Sequence, residues 1–196
     1  MQKRLFDIVL SLLGLIFLLP AFLIISLWIV FDSKGGIFYL QTRVGKNGKD
    51  FKLFKFRTMS TGADKKGLLT VGAKDSRITN AGYWLRKYKL DEFPQLLNVF
   101  LGQMSLVGPR PEVRKYVDLY SQDQLRVLLV KPGITDYASI EFSNENELLA
   151  AVENPDEYYI NKIMPEKLSL NLKYINSPGL ITDIKIILKT ALKILK

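Results

Sequence analysis

Neither cysteine nor histidine occurs in the 196 residues of this chain. Without cysteine there is no disulfide framework, no thiol nucleophile and no thiolate metal site. Without histidine the commonest general base and the commonest zinc ligand are gone. Any chemistry falls to carboxylates, Lys, Arg, Tyr, Ser or Thr, and any metal is a hard, oxygen-bound ion. Negative charge is scarce as well: 19 Asp and Glu stand against 28 Lys and Arg, a net charge of +9. That excess favours an anionic partner, whether nucleotide, nucleic acid or lipid headgroup. The few acids are unevenly placed. Glu141, Glu145, Glu147, Glu153, Asp156, Glu157 and Glu166 crowd residues 141–166 beside a single base, Lys162. This stretch reads as a solvated acidic excursion on a basic body.

Charge is missing altogether from residues 8–31, "IVLSLLGLIFLLPAFLIISLWIVF". These roughly 24 residues reach about 36 Å as a straight helix, enough to cross a bilayer. The run is too long for a signal peptide and no small-residue cleavage site follows, so it is expected to stay in the mature protein. Lys3 and Arg4 precede it, and Lys34, Arg43, Lys46, Lys49, Lys52, Lys55 and Arg57 follow. Basic flanks stay cytoplasmic, and the heavier one puts the body of the protein there. Pro20 lies mid-run, where it removes a backbone hydrogen bond and bends a helix. The residues themselves leave two paths open, a kinked span and a re-entrant hairpin that satisfies both basic flanks on one leaflet. Such an anchor does not suit a nucleic-acid binder. At the far end, residues 180–196 place Lys185, Lys189 and Lys193 in one stripe, with Ile184, Ile187, Leu188, Ala191, Leu192 and Leu195 facing away. A lysine-lined amphipathic helix suits an anionic membrane surface.

The middle is most simply one domain. Residues 35–43 and 50–59 read as two strands around "GKNG", a turn in which Asn-Gly tolerates positive φ. A helix is expected to start at a cap on Thr79 or Asn80. A second, short helix is expected from Glu92 to about Phe100, capped by Asp91, with Pro94 in its first turn and Gly102 at its close. Residues 130–140, "VKPGITDYASI", form a Pro-Gly turn into an extended piece. Helices dominate and strands are few, so the class is α+β.

Asp91 and Glu92 stand side by side in "KLDEFPQLLNVF". Neighbours on a helix diverge by about 100°, so the two acids address different partners. The start of a helix also attracts anions, through free N–H groups and the helix dipole. Arg86 lies one turn upstream, and Arg110 is held between prolines in "GPRP". Two arginines converging on phosphate oxygens are a usual recognition device. The plainer reading of an adjacent Asp-Glu is a surface helix cap.

The chain resembles the bacterial sugar transferases, the monotopic phosphoglycosyl transferases. The likeness runs nearly end to end: "KRLFDIVLSLLGLIFLLP" (3–20), "QTRVG" (41–45), "KFRTM" (55–59), "LRKYKLDEFPQLLNVFLGQMSLVGPRP" (85–111), "KPGIT" (131–135), and more weakly "DEYY" (156–159) and "DIKIILKT" (183–190). The resemblance implies transfer of a sugar-1-phosphate from a UDP-sugar to a polyprenyl (undecaprenyl) phosphate, with release of UMP. Asp91 would be the nucleophile and Glu92 would help hold Mg2+, the pair forming the metal site. Arg86, Arg110, Arg57 and Lys55 would bind phosphate, with Asp156 a weaker carry-over. The resemblance also implies a re-entrant membrane helix hairpin broken at Pro20 (residues 1–33), a small cytoplasmic catalytic domain with a short β-hairpin (34–179) and a C-terminal interfacial amphipathic helix (180–196). The protein would sit on the inner leaflet of the bacterial cytoplasmic membrane as a minimal catalytic form, and a homodimer stays open. A carboxylate nucleophile with an ordinary pKa of about 3.9 is already ionised at neutral pH, so no histidine is needed.

Three departures from the family pattern are visible. Leu19 stands where many members have Ser before the helix-breaking proline. Asp136 and Tyr137 follow "PGIT" where many have Gly-Trp. The acidic 141–166 region replaces a shorter loop and is expected to shape the sugar pocket. The rival reading is a membrane-anchored, non-catalytic module that binds anionic lipid.

Overall fold

The fold is seen in a computed structural model, which describes residues 2–63 and 75–194. Helix α1 (Gln2–Asp32) is followed by strands β1 (Phe38–Val44) and β2 (Asp50–Phe56), helix α2 (Asn80–Lys87), a 3-10 turn (Leu90–Glu92) and helix α3 (Gln95–Leu101). Then come β3 (Ser105–Val107), α4 (Arg114–Val117), a 3-10 stretch (Gln124–Leu129), β4 (Gly133–Thr135), α5 (Tyr137–Glu141) and α6 (Glu145–Ala150). Helix α7 (Pro155–Tyr158) runs through a π turn (Tyr159–Ile163) into α8 (Met164–Asn176), and α9 (Leu180–Ile194) closes the described chain. Most of the protein is helical, as its composition suggests.

The outward face of α1 is bare and apolar. Leu5, Leu13, Ile16, Phe17, Leu19, Leu23, Ile24, Leu27 and Phe31 are all exposed. Only 11% of its most apolar window is buried. A core helix of a soluble protein would be covered, and apolar surface on this scale marks a lipid or protein contact. Where the sequence reading expects two arms broken at Pro20, residues 2–32 form one uninterrupted helix with Pro20 inside it. A proline deletes one backbone hydrogen bond and bends a helix without having to end it.

Both ends of α1 are fastened to the same body. Near its start, buried Asp7 accepts hydrogen bonds from Ser105 Oγ and the Leu106 N–H, each 3.1 Å. Lys3 donates to the Val107 carbonyl and to Asp183 of α9. Arg4 donates to the Val99 and Phe100 carbonyls at 2.6 and 2.8 Å, satisfying acceptors that the end of α3 leaves open. Near its close, Ile25 and Ile29 pack with Phe56 and Leu85. Asp32 accepts from the Ala81 N–H at 3.1 Å. Arg57 donates to the carbonyls of Ile29, Ser33, Lys34 and Gly36. These carbonyls belong to the last turn of α1 and the loop after it, so Arg57 serves as that helix's C-terminal cap.

Strands β1 and β2 pair antiparallel, Thr42 opposite Lys52 and Val44 opposite Asp50. Asn47 and Gly48 in their turn both adopt positive φ, 57° and 71°, as the Asn-Gly pair foretells. Thr79 caps α2, its Oγ1 accepting from the Gly82 N–H at 3.0 Å. The helix expected to begin at Asp91 starts later. Pro94 occupies the cap position of α3, and Asp91 caps nothing. Gly102 ends α3 with φ 86°, as expected. A short parallel pair, β3 with β4, joins Ser105 to Gly133 and Val107 to Thr135. The sequence reading sees only an extended piece there. The main core gathers Val113, Tyr116, Val127, Leu149, Tyr159, Ile163, Met164 and Leu168.

Helix α9 turns Asp183 and Ile186 inward, where Ile186 packs with Val107 and Tyr174. Ile181, Ile184, Leu188 and Leu192 form an exposed apolar stripe, beside the exposed Lys185, Lys189 and Lys193. Leu195 and Lys196 lie outside the described residues.

The closest approach of α2 to the strand layer is at Gly82, where an added Cβ would lie 2.0 Å from the Thr58 carbonyl oxygen. Gly82→Ala is expected to destabilise the protein by about 3 kcal/mol or more, read as a lowered thermal midpoint in detergent.

Candidate active site

Three segments distant in sequence meet at Glu92. Lys55 comes from β2, Glu92 from the 3-10 turn, and Arg110 from the Pro-flanked loop after β3. Lys55 Nζ lies 3.1 Å from Glu92 Oε1, and the Arg110 guanidinium spans both carboxylate oxygens, Nη1 to Oε2 at 3.0 Å and Nη2 to Oε1. This two-pronged geometry is the strong form of an ion pair.

Local bonds hold each partner in place. Buried Asn98 of α3 donates to the Lys52 carbonyl and Gln103 Oε1, both 2.7 Å, and accepts from the Phe54 N–H at 2.9 Å. Asn98 thus clamps α3 to the strand that carries Lys55. Buried Asp136 accepts from the Arg110 N–H at 3.0 Å and from the Ser139 N–H at 2.6 Å, fixing the loop while capping α5. Lys89 turns the chain into the acidic pair with a left-handed φ of 56°.

Asp91 is 6% exposed and lies on the wall of a cavity of about 430 Å³. Lys55, Arg86 and Arg110 line the same cavity. Among the described residues, no group donates a hydrogen bond to the Asp91 carboxylate and Arg86 makes no ion pair. Burial raises the Asp91 pKa, the field of Lys55 opposing the shift, the charge of Glu92 adding to it and Arg86 opposing. Glu92 behaves oppositely. Burial works against its charge, but Arg110 and Lys55 together outweigh burial and hold the carboxyl well below the usual range. Burial also lowers the Lys55 pKa, with Glu92 resisting. Glu92 in turn holds Arg110 firmly protonated. Two adjacent acids are therefore driven apart, one a permanently paired anion and the other a lone carboxylate facing the cavity. Such a split commonly marks different chemical roles.

The expected site residues divide. Asp91, Glu92, Lys55, Arg86 and Arg110 come together. Arg57 also touches the cavity wall, but its guanidinium is engaged by the α1 carbonyls named above. The cause is position: Arg57 directly follows β2, where the chain passes beneath the end of α1. Asp156 is drawn off to Lys115 Nζ and Tyr116 Oη, each 2.6 Å, and does not line the cavity. Among the described residues no three acidic side chains gather into a metal cluster. Of the two expected metal ligands, Asp91 has no bonded partner among the described residues, while both Glu92 oxygens face cations.

The sequence reading misses a second polar group on the cavity. Arg43 pairs with Glu112 at 2.8 Å, and Tyr159 Oη donates to the other Glu112 oxygen. Lys167 pairs with Glu145 at 2.7 Å, and Asn171 completes this wall. The early signals were Arg43 inside "QTRVG", Glu112 directly after "GPRP", and the 141–166 region, expected to shape the sugar pocket, which supplies Glu145 and Tyr159.

A cleft with a lone carboxylate, a part-buried acid–guanidinium pair and further cations, beside an exposed apolar helix, is the outline of an enzyme for anionic substrates. The whole chain, residues 1–196, matches the family described as bacterial sugar transferase, and it belongs to that family. It is 36% identical over 195 residues to a UDP-glucose:undecaprenyl-phosphate glucose-1-phosphate transferase of Klebsiella pneumoniae, covering 97% of this chain but 39% of that one. The sugar transferase EpsL of Bacillus subtilis is 37% identical over 197 residues, covering 98% of this chain and 87% of that one. The exopolysaccharide production protein ExoY of Sinorhizobium fredii is 34% identical over 206 residues, covering 96% and 83%.

Asp91 carries a stability consequence. Its pKa is higher folded than unfolded, so the native state loses stability as pH rises from the unfolded value of about 3.9 through the raised one. Above the raised pKa the full penalty of an unpaired buried charge is present. Asp91→Asn is expected to raise the thermal midpoint at pH 7.5 while abolishing activity, whereas a lowered midpoint would show that the charge is compensated.

Proposed function

We propose that this protein is a phosphoglycosyl transferase that moves a sugar-1-phosphate from a UDP-sugar to undecaprenyl phosphate. The observation that carries this reading is the buried, unpaired Asp91 carboxylate beside the Glu92–Arg110–Lys55 group. An Asp91 oxygen attacks the sugar-linked phosphorus, and the bond from that phosphorus to the bridging oxygen breaks. UMP leaves with the electron pair, and a phosphosugar remains as an acyl phosphate on Asp91. A phosphate oxygen of the polyprenyl acceptor then attacks the same phosphorus and frees Asp91, giving a polyprenyl diphosphate sugar. No proton need be removed from either nucleophile, which suits a chain without histidine. The remaining work is charge neutralisation and alignment.

Arg86 and Arg110 bind the donor's phosphates, and Lys55 favours the ionised form of Asp91. Glu92 keeps Arg110 and Lys55 in place. Asp91 and Glu92 would hold Mg2+ together with the donor's phosphates, and the ion supplies positive charge to the phosphate oxygens. Both Glu92 oxygens already face cations, so Mg2+ alone is expected to bind weakly. The substrates in the name of the Klebsiella pneumoniae relative, UDP-glucose and undecaprenyl phosphate, support the choice of donor and acceptor. The rival reading, an anionic-lipid module without chemistry, leaves an unpaired carboxylate in a cationic cleft without a purpose.

In this reading α1 enters and leaves one leaflet, its continuous helix bent at Pro20 rather than broken there. Lys3, Arg4 and Asp7 at one end and Asp32 at the other bond to one body, so the two ends share a side of the membrane. The catalytic body lies on the cytoplasmic face of the inner membrane. The cysteine-free chain allows a direct test. Single cysteines at Gln2 and Ser33 are expected to label from the same side of oriented vesicles, and labelling from opposite sides refutes the path.

The reaction is tested by incubating the protein with a panel of UDP-sugars and Mg2+. UMP release and a phosphosugar adduct on Asp91 are expected from the wild type, and neither from Asp91→Asn. UMP release undiminished in Asp91→Asn overturns the mechanism. The raised pKa of Asp91 places the acid limb of the pH–rate profile above the usual carboxylate value of about 4. Lys55→Met removes a charge that opposes the shift and is expected to move that limb to still higher pH.

A further inference from the structure

The cavity has a second end that the chemistry at Asp91 leaves unexplained. Its wall is built from α6, the π turn and α8, together with Arg43 and Glu112. The charges there are compensated in pairs, Lys167 with Glu145 and Arg43 with Glu112. A phosphate gains less from this wall, where two cations meet two anions, than from the Asp91 end, where Arg86 adds a cation that no acid among the described residues pairs. A neutral group rich in hydroxyls suits it, since these side chains offer donors and acceptors side by side.

One atom on this wall lacks a partner. Asn171 of α8 is 5% exposed and lines the cavity, and no protein group bonds to its Oδ1. Buried polar atoms are nearly always satisfied, and an orphan calls for a ligand or water. A carboxamide in this position has nothing else to do in the fold, since no hydrogen bond ties α8 to its neighbours through it.

We infer that Asn171 is a specificity-determining residue whose carboxamide hydrogen-bonds the sugar of the donor, at the end of the cavity enclosed by Glu145, Lys167, Glu112 and Tyr159. The inference rests on the proposed transferase reading and deepens it. The other neutral part of the donor, the uracil base, is the alternative source of a hydrogen-bonding group. A planar base is usually held against an open aromatic face. Of the three tyrosines at this end, Tyr120 packs against the main core, and the other two offer no open face. Tyr116 and Tyr159 pack on each other with centroids 4.8 Å apart, are 2% and 3% exposed, and carry Lys115 and Lys167 over their rings. A sugar ring, recognised through its hydroxyls or an amide substituent, needs no such face. The acidic region 141–166 contributes Glu145 and Tyr159 to this end, which gives a physical reason for it to govern the sugar.

Asn171→Leu in the full-length protein, in detergent or nanodiscs, removes the hydrogen-bonding group while keeping the branching of the side chain, with two bulkier methyls in place of the amide atoms. The thermal midpoint is expected to hold or rise, because no protein partner is orphaned. KM for the preferred UDP-sugar is expected to rise about tenfold, the usual range for one neutral hydrogen bond, with kcat little changed. Discrimination among a panel of UDP-sugars is expected to narrow by the same factor, while inhibition by UMP, which lacks the sugar, stays constant. Unchanged discrimination overturns the inference. So does a parallel loss of UMP inhibition, which would assign the amide to the nucleotide. Asn171→Ala gives the same readouts should the leucine not fold. A wild type that releases no UMP from any donor removes the transferase reading itself, whereas a working wild type with an indifferent Asn171 variant removes only the sugar assignment.

Discussion

The clasp of part-buried Glu92 between Arg110 and Lys55 is the constraint from which the rest of the site follows. A buried carboxylate is tolerable only when its partners are close and well aimed. Here those partners come from β2 and from the loop after β3, so neutralising one side chain brings together segments more than fifty residues apart. Asn98 and Asp136 are the supports that make the arrangement precise, one tying α3 to β2 and the other fixing the Arg110 backbone. With both cations committed to Glu92, the neighbouring Asp91 is left buried without a bonded partner. The fold accepts a destabilising charge at Asp91 because Glu92, one residue away, is so thoroughly compensated. Strain of this kind persists where the surrounding structure over-determines it.

The apolar segment obeys a related logic. An apolar helix can leave water only by entering lipid or covering itself with protein, and most of α1 is uncovered. Its two polar ends nevertheless reach back to the body, through Asp7, Lys3 and Arg4 at one end and Arg57 and Asp32 at the other. Arg57 is instructive here. It sits in the expected "KFRTM" motif, yet its guanidinium satisfies the carbonyls at the close of α1, so it shapes the cavity by holding the membrane helix against it. Helix α9 adds a second apolar stripe, joined to the start of α1 by Lys3 and Asp183.

Much of the fold was legible in the residues because short-range rules govern it. The Asn47-Gly48 turn, the Thr79 cap and the Gly102 stop follow from φ preferences and from one side chain reaching one amide. The apolar run of α1 is plain from its missing charges. The pairing of β3 with β4 was not legible, because a three-residue parallel pair leaves almost no periodic trace. Asp91 as a helix cap was a local expectation that failed, since Pro94 moved the start of α3 and released the acid toward the cavity. Asp136, met as a departure from the family pattern, acquires a reason only when its contact with Arg110 is seen.

By itself the sequence determined which groups exist to do chemistry. With no thiol and no imidazole, chemistry was left to carboxylates, Lys, Arg, Tyr, Ser or Thr, on a chain that carries a long apolar helix. Tertiary structure alone decided which carboxylate is neutralised and which is left open, which arginine meets the acids and which caps a helix, and that Asn171 ends at the cavity without a partner. The physical reason is that propensity and hydropathy act over a few residues, whereas ionisation and hydrogen-bond satisfaction depend on what the fold brings within a few ångströms, however distant in the chain.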